Sequence, residues 1–201
     1  MKIYLARHGQ SQWQVKPSSN LDTPLTSIGH EQSKRLAEWL AGDRFFDNDT
    51  RLDLVSLLVS PRRRALQTAR YLVEAVSLPL VTEGSLSEAD FRIADHLPQH
   101  GPMGFATSTL HSDSLMYAKF KVQAERALNY LVEQATAGQG DVLAITHAGI
   151  IETMLRGMVA FDAVRFRPYN AALTIIEWTD HRWHLVHLNF WDHLPVKLRT
   201  A

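Results

Sequence analysis

Apolar runs of strand length alternate along this sequence with segments of helical periodicity. Predominantly apolar runs occupy residues 54–59 and 141–146, and a short β-prone run occupies residues 3–6. Runs without polar alternation are typical of strands buried on both faces of a parallel sheet. Their alternation with helices predicts an α/β fold in which helices cover both faces of a mainly parallel sheet.

The remaining periodic segments complete this pattern. Helices are predicted at residues 26–40, 62–76, 112–137 and 150–159. Pro61 is suited to the first turn of the second of these helices. Residues 78–81 are a weaker strand candidate, and residues 172–178 and 183–188 flank a short connection, which predicts a hairpin. Because no repeat period or linker-like tract is present, we expect a single domain over residues 1–201.

One segment, residues 83–111, has no clear period and contains several glycines and prolines. A long irregular segment in a compact domain is usually functional or mobile. We therefore predict a lid-like loop at about residues 83–113, and we expect residues 96–111 to contribute to substrate selection.

Composition excludes several classes of site and partner. The 21 lysines and arginines balance the 21 aspartates and glutamates, which gives no support for nucleic-acid or anionic membrane binding. The absence of cysteine removes disulfides, thiolate nucleophiles and cysteine-based metal sites. Arg7 and His8 come too early for the apolar core of a signal peptide, and no apolar stretch has the length of a membrane helix. We expect a soluble, cytoplasmic protein.

Histidines and arginines follow the predicted strands where ligands of α/β sheets collect. Arg7 and His8 end the first strand, Arg62–Arg64 open the helix after the second, and His147 ends the fourth. Guanidinium groups match phosphate geometry, and helix N-termini add partial positive charge. Each feature alone is common, and a run of arginines is most often a solvated helix face. Their predicted convergence on one sheet edge indicates a phosphate-binding site.

The chemistry of such a site follows from these residue types. A neutral histidine beside arginines can attack phosphorus, and a second histidine, if protonated, would place positive charge against the transferred group. An acid is also needed to protonate the leaving group. The carboxylates in or beside the irregular segment are those of Glu83, Glu88, Asp90, Asp95 and Asp113. No Walker-type glycine–lysine run is present, so a nucleoside triphosphate cradle is not indicated.

Five blocks of sequence, in order, resemble the histidine phosphatase superfamily, the phosphoglycerate-mutase-like proteins. Residues 5–14 (LARHGQSQWQ) resemble its first motif, L-x-R-H-G-E/Q-S/T-x-x-N. The other blocks are residues 22–32 (DTPLTSIGHEQ), 60–69 (SPRRRALQTA), 86–88 (LSE) and 142–149 (VLAITHAG). Together they span residues 1 to about 160, and a chance coincidence of all five is negligible.

The resemblance implies a three-layer α/β/α sandwich with a six-stranded, mostly parallel sheet, and a two-step reaction without metal or cofactor. His8 would form a phosphohistidine, and Glu88 would first protonate the leaving group and then activate water. The residues implied to hold the phosphoryl group are Arg7, Ser11, Gln14, Arg64, His147 and Ala148. The resemblance thus predicts a metal-independent phosphatase acting on a small phosphorylated metabolite.

The sequence departs from the family pattern at three places. Gln14 stands where the first motif has asparagine, so we expect one hydrogen bond to phosphate to be lost or lengthened. Arg62 replaces an apolar residue, which adds charge near the site or points to solvent. Residues 89–95 lack the glycines that usually follow the acid, so Asp90 stands as the alternative to Glu88, which is still the expected acid.

Alternative functions use the same core. A phosphoglycerate mutase would need further basic segments, and a protein phosphohistidine phosphatase is usually shorter. A non-catalytic phosphate-binding homologue would commonly have lost the first histidine or the acid, whereas both are present. A metal hydrolase is suggested only by the ten histidines, which form none of the usual metal-binding motifs. The sequence therefore favours the phosphatase, and it leaves the oligomeric state open.

Overall fold

The computed structural model describes residues 1–42, 52–99 and 110–201. Its six-stranded sheet has the order β3-β2-β4-β1-β5-β6. The strands are β1 (Lys2–Arg7), β2 (Leu54–Val59), β3 (Leu80–Thr82), β4 (Asp141–Thr146), β5 (Leu173–Thr179) and β6 (Arg182–Phe190). The first four strands pair in parallel, and the C-terminal hairpin adds β5 antiparallel to β1 and β6 antiparallel to β5. The predicted, mostly parallel α/β sheet is confirmed.

Helices cover both faces of the sheet because successive residues of the central strands point to opposite sides. The helices are α1 (Gln12–Val15), α2 (Ser27–Leu40), α3 (Arg63–Val76), α4 (Leu115–Gly138) and α5 (Ala148–Val159). Tyr4 and Leu143 pack with residues of α2 and α3, whereas Leu5 and Ala144 pack with residues of α4 and α5. The two apolar clusters lie on opposite faces of the sheet. The sheet and the helices on each side of it form the three layers that the sequence predicts.

The predicted bounds of β2 and β4 match the structure, and the main differences lie at helix starts. Helix α3 begins at Arg63, with Arg62 in extended backbone geometry as its N-cap. The helix therefore begins one residue after its predicted start at residue 62, and Pro61 lies before the first turn. The strand conformation continues past β2, because the Ser60 amide still donates to the Ile145 carbonyl of β4 at 3.0 Å. Pro61 has no amide hydrogen with which to extend this pairing.

The irregular segment contains two short 3₁₀ turns, Gly84–Leu86 and Ile93–His96. The Thr146 hydroxyl donates to the Leu86 carbonyl at 2.7 Å, which fixes the start of the segment against the end of β4. Residues 100–109 of the predicted lid-like loop lie outside the described residues. The described part of the loop therefore begins at the edge of the sheet where the predicted site residues lie.

Candidate active site

Three adjacent strands end side by side and bring the two predicted histidines together. Strand β4 lies between β1 and β2, so the residues after these strands share one edge. The His8 amide continues the pairing by donating to the Thr146 carbonyl at 2.9 Å. The ring centroids of His8 and His147 are 5.0 Å apart. The structure thus brings together the strand ends that the sequence predicts to converge.

The hydrogen bonds of His8 define its tautomer. Its Nδ1 lies 2.7 Å from the Gly9 carbonyl oxygen, which can only accept, so Nδ1 carries the proton. Its Nε2 therefore has a lone pair, and the Arg64 Nε–H donates to it at 3.0 Å. Burial and the charges of Arg64 and Arg7 hold the pKa of His8 well below its ordinary value. A neutral ring with a lone pair on Nε2 is the form that can act as a nucleophile.

Two arginines supply positive charge around this ring. Arg64 is buried near the start of α3, where one terminal nitrogen donates to the Leu21 carbonyl at 2.8 Å. Arg7 ends β1 and donates from Nη1 to the Pro168 carbonyl at 2.7 Å, while its buried Nε has no partner among the described residues. Burial lowers the pKa of Arg7 to about 10, so this side chain stays charged at neutral pH. An unpaired buried donor is costly, and an anion would satisfy it.

His147 is fully buried and follows β4 as the N-cap of α5. Its Nε2 lies 2.7 Å from the Ser60 hydroxyl, and its Nδ1 has no partner in the described part of the chain. Burial, the His8 ring and the Arg64 charge hold the pKa of His147 well below its ordinary value. Both histidines are therefore neutral at neutral pH, and the positive charge of the site resides on the arginines.

The Glu88 carboxylate is held both by the start of α5 and by its own segment of the lid-like loop. Its Oε2 accepts from the Gly149 amide and its Oε1 from the Ala89 amide, both at 3.1 Å. A Cβ at Gly149 would lie 2.1 Å from Oε1, so only glycine leaves room for the carboxylate. Burial raises the pKa of Glu88 above its ordinary value, although these hydrogen bonds and the arginines oppose the shift. A carboxyl group with a raised pKa is suited to general acid catalysis.

Asp90, the substitute acid considered from the sequence, lies elsewhere. Its side chain is 75% exposed and forms an ion pair with the Arg62 guanidinium. Glu83 is also occupied, because its Oε1 accepts from the amide and the hydroxyl of Ser85. Of these three carboxylates, Glu88 is the one hydrogen-bonded to the helix that follows His147.

Gln14 and Ser11, which the resemblance places on phosphate, bond to each other. Gln14 Oε1 accepts from the Ser11 amide at 2.9 Å, and its Nε2 donates to Asn170 Oδ1 and to the Ala201 backbone oxygen, both at 3.0 Å. In the free protein the Gln14 amide therefore supports the loop after β1. Ala148 begins α5, so its amide is one of those that a helix leaves without an intrahelical partner.

Asn170 and Ser60 are site residues for which the sequence analysis assigned no role. Asn170 is fully buried, and its Nδ2 donates to the His8 carbonyl at 3.1 Å, 162 positions away in the sequence. Ser60 bonds His147, as described above. The one available signal was their position, because Ser60 follows a predicted strand and Asn170 precedes one.

Residues 1–42, 52–99 and 110–201 contain no group of three or more histidine, cysteine, aspartate or glutamate side chains arranged to hold a metal ion. Within the same ranges, no helix has the length and apolar character needed to cross a membrane. Two of the C-terminal histidines, His181 and His184, are exposed on the hairpin, and β6 forms the outer edge of the sheet.

We expect a tetrahedral anion to bind between Arg7, Arg64 and the two histidines. The unpaired donors there would gain partners. At an anion concentration of about 100 times Kd, binding would stabilise the folded state by about 2.7 kcal/mol. Thermal unfolding in phosphate, vanadate or sulfate, with sodium chloride at matched ionic strength as control, checks this expectation. A crystal structure showing such an anion only at another position would contradict the site.

Comparison with known proteins agrees with this geometry. The profile of the histidine phosphatase superfamily (branch 1) matches residues 3–190. The uncharacterized phosphatase PhoE of Bacillus subtilis (strain 168) is 25% identical over 200 residues, covering 96% of each chain. A putative alpha-ribazole-5'-P phosphatase structure from Escherichia coli has a TM-score of 0.68 at 22% identity, covering 94% of this chain and 96% of its own.

A second structure shows the same fold. A phosphoserine phosphatase from Entamoeba histolytica, in complex with 3-phosphoglyceric acid, has a TM-score of 0.70 at 19% identity. The match covers 96% of this chain and 99% of that one. The resemblance drawn from the five motifs is thereby confirmed, and the chain belongs to the histidine phosphatase superfamily.

Proposed function

We propose that this protein hydrolyses phosphate monoesters of small metabolites, without a metal ion, through a phosphohistidine at His8. The observation that carries the proposal is the tautomer of His8, whose Nε2 lone pair faces Arg64 in a buried, positively charged site. The proposal treats residues 1–201 as one domain that acts in the cytoplasm, a compartment with which the cysteine-free composition is compatible.

In the first step the His8 Nε2 lone pair attacks phosphorus and the phosphorus–oxygen ester bond breaks. The leaving oxygen takes the proton of Glu88 and departs as an alcohol. The imidazole ring becomes a phosphorylated cation, and the Gly9 carbonyl stabilises it by accepting from Nδ1–H at 2.7 Å. The bond from Arg64 Nε to Nε2 must be exchanged for one to a phosphoryl oxygen during this step.

In the second step water attacks phosphorus and passes a proton to the Glu88 carboxylate. The phosphorus–nitrogen bond breaks and its electron pair returns to Nε2. This releases inorganic phosphate and restores neutral His8 and protonated Glu88. One carboxyl group therefore alternates between acid and base, which a raised pKa favours.

The charge of the site suits a phosphate dianion. When Glu88 carries the proton that the first step requires and both histidines are neutral, Arg7 and Arg64 provide two positive charges against the two negative charges of the phosphate group. A bound dianion also opposes the effects that lower the histidine pKa values, so His147 can take up a proton and add charge against the developing oxyanion.

The similar proteins support a phosphatase of small molecules. The three similar proteins described above are named as an uncharacterized phosphatase, a putative phosphatase of an alpha-ribazole phosphate and a phosphoserine phosphatase. The two substrates in these names, an alpha-ribazole phosphate and phosphoserine, share a phosphate monoester and differ in the group that carries it. We therefore propose the shared group, and no one metabolite, as the substrate class.

The proposal is tested by trapping the intermediate. We expect rapid quenching with ³²P-labelled substrate to give a phosphoprotein that is stable to alkali and labile to acid, with the label in the peptide containing His8. Adding an acceptor alcohol distinguishes hydrolysis, which releases inorganic phosphate, from mutase-type transfer to the acceptor. Normal turnover without any adduct, including in a variant that blocks the attack of water, would overturn the mechanism.

A further inference from the structure

An ion pair joins the two segments that carry Arg64 and Glu88. The Arg62 guanidinium bonds the Asp90 carboxylate. Arg62 comes two residues before Arg64, and Asp90 comes two residues after Glu88. The pair therefore spans from the start of α3 to the start of the irregular segment.

The backbone of Arg62 lies close to the site, and the charge of its side chain acts on two site residues. Its amide lies 3.3 Å from the Ser60 hydroxyl, which is 2.7 Å from His147 Nε2. Burial lowers the pKa of Arg64, and the Arg62 charge lowers it further. The same charge is among those that lower the pKa of His147. Arg62 thus adds positive charge that acts on both Arg64 and His147.

The ion pair can open at little cost. The Arg62 side chain is 26% exposed and the Asp90 side chain 75% exposed, and pairs this open to solvent contribute little to stability. The Arg62 side chain makes no capping hydrogen bond, so α3 does not require the arginine. A competing anion can therefore replace Asp90 without disturbing the fold.

We propose that Arg62 binds a second anionic group of the substrate, a carboxylate or a further phosphate, and that Asp90 occupies this position in the free protein. The inference rests on the proposed phosphatase function and names the feature that would distinguish preferred substrates. A guanidinium group pairs with either anion through two parallel hydrogen bonds, so its contribution should be large.

The test compares substrates that differ by one anionic group. 3-Phosphoglycerate carries a carboxylate where glycerol 3-phosphate carries a hydroxymethyl group. Fructose 1,6-bisphosphate and fructose 6-phosphate form a second pair that differs by a phosphate. For each pair, the measured quantity is kcat/KM for the substrate with the extra anionic group divided by kcat/KM for its partner. We expect Arg62→Leu to lower this ratio in at least one pair by about 10- to 100-fold, as for loss of charge-assisted hydrogen bonds.

Two further variants make the result specific. Asp90→Asn removes the competing carboxylate, so the same ratio should rise by about twofold to fivefold, in keeping with a weak exposed pair. Arg63→Leu is the matched control, since it removes the same charge from the neighbouring exposed arginine and should leave the ratios within about twofold.

The outcomes separate this inference from the proposed function. An effect in the first pair identifies a carboxylate, and an effect in the second identifies a phosphate. If Arg62→Leu changes both members of each pair equally while the phosphohistidine still forms, Arg62 does not select substrate and the inference fails alone. If the wild-type protein forms no phosphohistidine and hydrolyses none of the four, the proposed function fails and the inference with it.

Discussion

Replacing His8 with alanine is expected to lower kcat for 4-nitrophenyl phosphate by a factor of at least about 10⁴, because removal of a nucleophile abolishes the covalent route. The arginines of the site would remain, and they can orient and polarise a substrate without reacting with it. The measurement is steady-state release of 4-nitrophenolate, with acid-quench labelling of the same variant. No phosphoprotein should be found.

Loss of activity could also follow from loss of the fold, because His8 is buried and bonded to Gly9. His8→Asn addresses this, since its amide nitrogen can still donate to the Gly9 carbonyl. This variant should remain folded and bind inorganic phosphate through Arg7 and Arg64 while being equally inactive. His184→Ala, on the exposed C-terminal hairpin, should retain activity. More than about 1% of wild-type kcat in both His8 variants would contradict a nucleophilic role.

The sheet could be predicted because strands that are buried on both faces appear in the sequence as apolar runs. Strands β2 and β4 are covered on both faces, so neither face needs polar residues and the apolar runs match the strands residue for residue. The convergence of Arg7, His8 and His147 then followed from the parallel arrangement. A local pattern was sufficient because the carboxyl ends of neighbouring parallel strands must meet.

The hydrogen bonds that orient the site could not be predicted in this way. Asn170 reaches the His8 carbonyl across 162 positions, and Gln14 reaches Asn170 across 156. No periodicity or motif records such pairs, since each depends on how separate segments pack. The position of Gln14 shows the consequence, because its motif suggests a phosphate contact whereas its amide bonds Asn170. Gln14 as a direct phosphate ligand stays a prediction.

The choice between Glu88 and Asp90 also needed the structure. Glu88 ends the LSE block and Asp90 lies two residues after it, and the missing glycines after Glu88 left the assignment open. What separates them is the chain that packs on them, because the Gly149 amide bonds Glu88, whereas Asp90 faces solvent and Arg62. The approach of Glu88 to Gly149 gives this glycine a role that the motif alone does not explain.

Glu88→Gln is expected to lower kcat/KM for glycerol 3-phosphate by a factor of about 10² to 10⁴, the range for loss of a general acid. The amide is similar in size but cannot give up a proton to the leaving alkoxide. The loss for 4-nitrophenyl phosphate should be smaller, because 4-nitrophenolate leaves without protonation. Glu83→Gln, in the same segment, is the control and should keep kcat/KM within about threefold.

The second step adds a distinct signature to this variant. Without the Glu88 carboxylate to accept a proton from water, the phosphohistidine breaks down slowly. With 4-nitrophenyl phosphate, a burst of product close to one equivalent per site should precede slow turnover, and the labelled adduct at His8 should accumulate. If Glu88→Gln slowed both substrates equally and gave no burst, the acid would have to be sought in another residue.

The pH dependence of kcat/KM follows from the shifted pKa values of His8 and Glu88, which act in opposite directions at low and at high pH. His8 must be neutral to attack, so kcat/KM falls as pH decreases through its lowered pKa. Glu88 must be protonated in the first step, so kcat/KM for glycerol 3-phosphate falls as pH increases through its raised pKa. Since ionisation of the substrate affects wild type and Glu88→Gln alike, the ratio of their kcat/KM values isolates Glu88. We expect that ratio to decrease towards one as pH increases above the Glu88 pKa, and a ratio independent of pH would mean that Glu88 does not deliver the proton.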